Sequence, residues 1–134
     1  MRWLVKEEPE NYSFDTFLAD GSTVWSGVKN PVAQKNLRAM KKGDRVFYYH
    51  TGKEKAVVGT ATVAVAAYPD PKDKTGKLVV VELVPNQKLK RPVTLAEIKA
   101  AGRFADFALV RIPRLSVMAV TDDQWDAIEA MSRA

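Results

Sequence analysis

The sequence predicts an α+β fold in which a strongly curved mixed sheet of five to six strands closes into a small pseudo-barrel flanked by short helices. Three observations point there. The segments run strand, helix, helix, several strands, helix, strand, helix, without the strand–helix alternation of a doubly wound sheet. Two capping boxes, Thr94-Leu95-Ala96-Glu97 and Thr121-Asp122-Asp123-Gln124, mark where two helices begin. A long β-branched run, residues 57–67, is broken by Gly59, which suits a bulged strand that bends.

Residues 2–6 alternate as a short strand, with Trp3 and Val5 on one face and Leu4 and Lys6 on the other. Glu8-Pro9 ends it. Ser13 is placed to cap a short helix from Phe14 to about Leu18, with Asp15 near its positive end. Asp20-Gly21 turns the chain into a loop carrying Trp25. From residue 31 to about residue 40 the apolar positions Ala33, Leu37 and Met40 recur at helical spacing; Gly43 closes this helix and Lys41-Lys42 suit its negative end.

Residues 45–50, Arg-Val-Phe-Tyr-Tyr-His, are strongly strand-forming, and alternation sets Tyr48 and His50 on one face and Phe47 and Tyr49 on the other. Thr51-Gly52-Lys53 is a turn. Tyr68-Pro69-Asp70-Pro71 reads as loop, because proline cannot donate to a ladder, and residues 72–77 extend it. Residues 78–84 form a strand apolar enough to be buried on both faces. Residues 104–109 suit a turn of helix and residues 115–120 a strand. The last helix turns Trp125, Ile128 and Met131 or Ala127 toward the core.

With 134 residues, 46% of them hydrophobic, the chain reads as one domain, residues 1–134, able to bury a core without staples. The absence of cysteine excludes disulfides, thiolate metal sites and cysteine nucleophiles. No apolar run approaches the roughly 20 residues of a membrane-spanning helix. The N-terminus turns acidic too soon for a signal peptide. A soluble, cytoplasmic monomer is expected, with no cofactor and no metal. Positive charge is uneven: residues 29–55 carry eight Lys/Arg against Asp44 and Glu54, and residues 85–114 carry seven against Glu97 and Asp106. If these segments meet in space they make the field a polyanion needs; apart, they are ordinary solvated faces.

The stretch Trp25-Ser26-Gly27-Val28-Lys29-Asn30-Pro31 combines a large ring, a glycine that lets backbone approach a ligand, and an amide before a helix-starting proline. It has two readings. Trp25 serves either as a core ring or as a platform for a planar heterocycle. Asn30 either caps the helix that Pro31 starts or orients a ligand edge.

Several segments, in order, resemble the EVE domain family: Trp3-Leu4-Val5-Lys6-Glu7-Glu8-Pro9, the loop from Trp25 to Asn30, Gly43-Asp44-Arg45-Val46-Phe47-Tyr48-Tyr49-His50, Ala67-Tyr68-Pro69-Asp70-Pro71, Arg91-Pro92-Val93-Thr94-Leu95 and Arg114-Leu115-Ser116-Val117. The resemblance implies a PUA-like pseudo-barrel, related to RNA-binding PUA domains and YTH readers. It also implies binding of nucleic acid with a modified base, modified cytosine in DNA being the favoured ligand. Where the family usually has an aromatic residue after the asparagine this chain has Pro31, which removes a ring and a backbone donor.

On this basis the expected base pocket comprises Lys6, Trp25, Gly27, Val28, Asn30, Tyr49, His50 and Tyr68. Trp25 is the ring platform of an open slot, Gly27 and Val28 supply backbone groups, and Asn30 fixes orientation. Lys6 reaches a phosphate or base oxygen, and Tyr68 adds a second wall or plugs the fold. His50 is either a pocket lining or a hydrogen-bonded structural residue. Lys29, Lys88, Lys90, Arg91, Arg111 and Arg114 are the expected phosphate contacts, positioning the duplex without reading its sequence. Other readings of the same residues are an RNA-binding module and a small-molecule-binding domain. Catalysis is not expected: no paired carboxylates, nucleophile elbow or partnered histidine is evident.

Overall fold

In the computed structural model, which describes residues 1–134, six strands share one sheet. They are β1 (Arg2–Glu7), β2 (Thr23–Trp25), β3 (Arg45–His50), β4 (Ala56–Pro69), β5 (Val79–Thr94) and β6 (Val117–Val120), and their spatial order is β2-β5-β4-β3-β1-β6. Only β1 and β3 run parallel, with Leu4 opposite Phe47, Lys6 opposite Tyr49 and Glu7 opposite His50; the other pairs are antiparallel. The helices are α1 (Pro9–Tyr12), α2 (Phe14–Asp20), α3 (Pro31–Ala39), α4 (Leu95–Ala100), α5 (Ala108–Arg111) and α6 (Asp122–Arg133). The fold is α+β and PUA-like, as expected, and no helix is long and apolar enough to cross a membrane.

Strand β1, between β3 and β6, is buried on both faces at Trp3, Leu4 and Val5 because each face meets a different layer. On one side Tyr48 of β3 gathers Phe14 and Phe17 of α2. On the other, Phe47 stacks on Trp125 of α6 with ring centroids 3.7 Å apart. Both predicted capping boxes are formed, at Thr94/Glu97 and Thr121/Gln124, and Ser13 caps α2 by accepting from the Thr16 N–H. In α6 Trp125, Ala127 and Ile128 are buried, while Met131 packs partly against the core.

The sheet does not close, and here the expectation of a closed barrel is corrected. Edge strands β2 and β6 do not pair, and α3 joins the two sides with amide side chains. Gln34 Nε2 donates to the Val79 carbonyl at 3.1 Å, and its Oε1 accepts the Val79 N–H at 2.9 Å, as a neighbouring strand would. Asn36 donates to the Val117 carbonyl of β6 at 2.7 Å. Strand-edge groups buried without partners are costly, so two side chains on one helix complete what the ladder leaves open. Gln34, 3% exposed, also donates to the Val28 carbonyl at 2.7 Å, tying the Trp25 loop to the same helix.

Several boundaries differ from the sequence reading. Trp25 ends a three-residue strand opposite Val81 rather than sitting in a loop. Pro9 starts a one-turn helix instead of merely stopping β1. Tyr68 and Pro69 belong to β4, opposite Val80 and Val79; as the last residue of the strand, Pro69 need not supply a ladder N–H. β5 continues to Thr94 through Pro85 and Pro92, passing repeated register shifts against β4. Val80 and Val81 are buried on opposite faces, but Glu82 and Val84 are only partly covered. The one-turn helix near residue 108 starts after Phe107 rather than at Phe104, and β6 starts at Val117.

Candidate nucleic-acid interface

Strand alternation divides the expected pocket residues among three places. Trp25, Tyr48 and His50 share the inner face: the Trp25 ring meets Tyr48 edge-on at 5.5 Å, and His50 meets it at 5.7 Å. Lys6 and Tyr49, opposite one another across β1 and β3, share the outer face, where Lys6 Nζ lies 5.6 Å from the Tyr49 ring centre. They therefore do not line a pocket with Trp25. Tyr68 donates to Glu82 at 2.6 Å. Since Trp25 pairs with Val81, whose side chain points opposite to that of Glu82, Tyr68 lies across the sheet from Trp25 and forms no second wall beside it.

Trp25 is 6% exposed, so the expectation of an open slot walled by its ring is corrected. Pairing of β2 with β5 swings the indole inward onto Tyr48. What remains at the surface is the next turn, at Ser26, Gly27, Lys29 and Asn30, with the Val28 side chain buried in the core. Gly27 has φ 77°, and a Cβ there would meet nothing within 4 Å. The backbone N–H groups of Gly27 and Val28 donate to no group in the protein. Asn30 Oδ1 accepts from the Val32 and Ala33 N–H groups at 2.9 and 3.0 Å, so the capping role holds, while its Nδ2 makes no hydrogen bond in the protein. The turn thus leaves donors free within a few residues of a buried ring.

His50 is a linchpin of the inner face. Its Nε2 accepts the Phe14 N–H at 3.0 Å, which places the ring proton on Nδ1, 2.7 Å from Glu54. Both nitrogens are occupied, leaving no free base. Tyr48 donates to the Tyr12 carbonyl, and burial pushes its hydroxyl pKa far up, with Glu7 and Tyr12 adding to the shift. Tyr48, Phe14, Phe17 and Gln34 are site-shaping residues missed in the sequence. Tyr48 alone carried a usable signal, since alternation set it beside His50.

Beside Phe14 and His50 runs a cleft of about 370 Å³, with Lys88, Leu89, Lys90 and Pro92 on its other wall. Lys88 bridges it to Asp15 at 2.6 Å; both side chains are more than half exposed, so the pair adds little and exchanges readily. Arg91, expected to contact phosphate, is engaged within the protein. Its guanidinium donates to both Glu97 oxygens at 2.9 and 2.8 Å and to the Met131 carbonyl at 2.7 Å, locking α4 and α6 onto β5. Lys29, Lys90, Arg111 and Arg114 form no ion pair and no side-chain hydrogen bond.

Comparison with known proteins then places the chain. The family model described as "EVE domain" matches residues 1–131. Thymocyte nuclear protein 1 of Homo sapiens is 29% identical over 160 residues, covering 94% of this chain and 71% of that protein. The NMR structure of Rpa0253 from Rhodopseudomonas palustris is 45% identical and superposes with a TM-score of 0.94, covering 98% of this chain and 92% of that one. The crystal structure of human THYN1 protein, in complex with DNA containing 5-methylcytosine, superposes with a TM-score of 0.91 at 28% identity, covering 99% of this chain and 98% of that one.

Proposed function

The chain belongs to the EVE domain family, and from that premise we propose that it is a non-catalytic nucleic-acid reader that accommodates a flipped modified base, 5-methylcytosine in DNA being favoured. One observation carries the reading: end-to-end correspondence with a human protein solved on DNA containing that base. The geometry of the Trp25 turn supports it. Extruding a base costs a few kcal/mol, offset by stacking and edge hydrogen bonds. The free N–H groups of Gly27 and Val28 and the Asn30 amide suit the acceptor edge of a base. Trp25, braced by Tyr48, is the floor beneath that turn rather than an open wall. Lys29, Lys90, Arg111 and Arg114, free of internal partners, take phosphates, and Lys88 joins them by exchanging Asp15. The protein acts inside the cell and as a monomer.

The test is a polarisation titration of duplexes that differ only in cytosine against 5-methylcytosine, with an RNA of the same sequence alongside. Tighter binding of the methylated DNA is expected. Equal affinity for both duplexes would overturn the reading, and preference for the RNA would move the function to a ribonucleotide. Trp25→Ala is unsuited as a binding variant, because emptying so buried a site costs about 3–5 kcal/mol of stability. Asn30→Asp keeps the oxygen that caps α3 while removing the exposed Nδ2 donor, and is the sharper probe.

A further inference from the structure

We propose that the outer-face cavity lined by Lys6, Tyr49, Thr51, Lys55 and Lys99 is a phosphate-binding site, separate from the base-reading turn. It encloses about 280 Å³ at the ends of β1 and β3, between the β3–β4 turn, α4 and the segment after α5. Three lysines line it and no carboxylate does. None of the three lies within ion-pair distance of an acid anywhere in the protein. Here the two basic segments of the sequence meet, Lys55 from one and Lys99 from the other.

The lining offers hydrogen-bond donors that suit an anion. Lys6 Nζ gives one hydrogen bond, to the Pro113 carbonyl at 2.9 Å, and has two further N–H groups. Half-burial lowers its pKa, the sign of an ammonium that has lost water without gaining a counter-charge. The Tyr49 hydroxyl makes no hydrogen bond in the protein; burial pushes its pKa up to about 12, so it remains a neutral donor. The Thr51 hydroxyl oxygen is the one buried side-chain polar atom without a partner. Such groups are costly unless something pairs with them.

The turn that presents Lys55 is held in an unusual shape. Lys55 is the only non-glycine residue with positive φ, at 45°, and its carbonyl is fixed by the Leu95 N–H at 2.8 Å. Three compact cations and two hydroxyls match the charge and acceptor oxygens of a phosphate, which lysine binds as a point charge. A second cavity of about 420 Å³, lined also by Lys53 and Glu54, shares Lys55, Leu95 and Lys99.

Inorganic phosphate is the probe, titrated into the full chain while amide NMR follows Thr51, Gly52 and Lys55, with chloride at matched ionic strength as control. Saturable shifts with phosphate alone are expected. They should weaken at least about tenfold in Lys55→Gln/Lys99→Gln, whose remaining resonances report an intact fold. Shifts that grow linearly, that chloride reproduces, or that the double variant retains would overturn the site. Unmethylated DNA added to the phosphate-loaded protein distinguishes the sources. Displacement identifies a backbone phosphate, and its absence a free phosphorylated compound; either outcome presupposes the site. The titration contains no modified base, so its failure and that of the reader assignment are separable.

Discussion

Gly59→Ala tests the packing that builds the inner face. A Cβ at Gly59 would lie 2.3, 2.4 and 2.7 Å from three atoms of the Phe14 ring. Carbon atoms settle about 3.5–4.0 Å apart, so the ring must withdraw by more than ~1 Å. It has little room to do so. Phe14 is 1% exposed, lies against Tyr48 at 5.2 Å and Phe17 at 5.8 Å, and its backbone N–H is held by His50. Overpacking of this kind costs about 1–3 kcal/mol, and the crowding predicts the upper half of that range. Urea unfolding should show a lower midpoint at unchanged slope. Phe14→Leu, destabilising alone, should recover part of the loss when combined with Gly59→Ala, giving a coupling energy on the order of 1 kcal/mol. An alanine variant within about 0.5 kcal/mol of the parent, or strictly additive effects, would refute the reasoning.

Gln34→Ala removes the partners of the Val28 carbonyl and both Val79 backbone groups; a loss of about 2 kcal/mol or more in urea unfolding is expected, with faster exchange of the Val79 amide. Burial raises the Asp44 pKa, but hydrogen bonds from Trp3, the Lys41 N–H and the N-terminus, with the terminal charge, outweigh it and leave the folded value lowered. Its contribution is therefore present above the unfolded value of about 3.9 and lost as pH falls through the folded one. Unfolding midpoints across that acid range should drop less steeply in Asp44→Asn than in the parent. Arg91→Gln should lower stability yet leave the salt dependence of DNA binding unchanged. Lys29→Gln/Arg111→Gln/Arg114→Gln should reduce the log–log salt slope by up to about 0.9 per lost phosphate contact.

How much of the molecule was legible depended on the range of the signal. Thr94/Glu97, Thr121/Gln124 and Ser13 announce helix starts through bonds within one turn, and each forms. Alternation over residues 45–50 separated Tyr48 and His50 from Tyr49, because a strand's period survives any partner. The candidate site was less legible. The free donors of Gly27 and Val28 follow from a local turn, whereas the environments of Trp25 and Tyr68 depend on where β5 runs. Arg91 reads in the sequence like its neighbours Lys88 and Lys90; only the approach of Glu97 and the end of α6 gives it partners within the protein.

The sequence by itself determined the α+β class, the helix caps, the face each residue of β1 and β3 takes and the lack of thiol chemistry, since all are set by composition or by neighbours a few residues apart. Tertiary structure alone decided the rest. It buried the indole by pairing Trp25 with Val81, joined an open sheet through Gln34 and Asn36, and brought Lys55 and Lys99 to the wall of one cavity. Those outcomes depend on long-range register and on which groups remain unpaired after packing, and neither is written in any short stretch of chain.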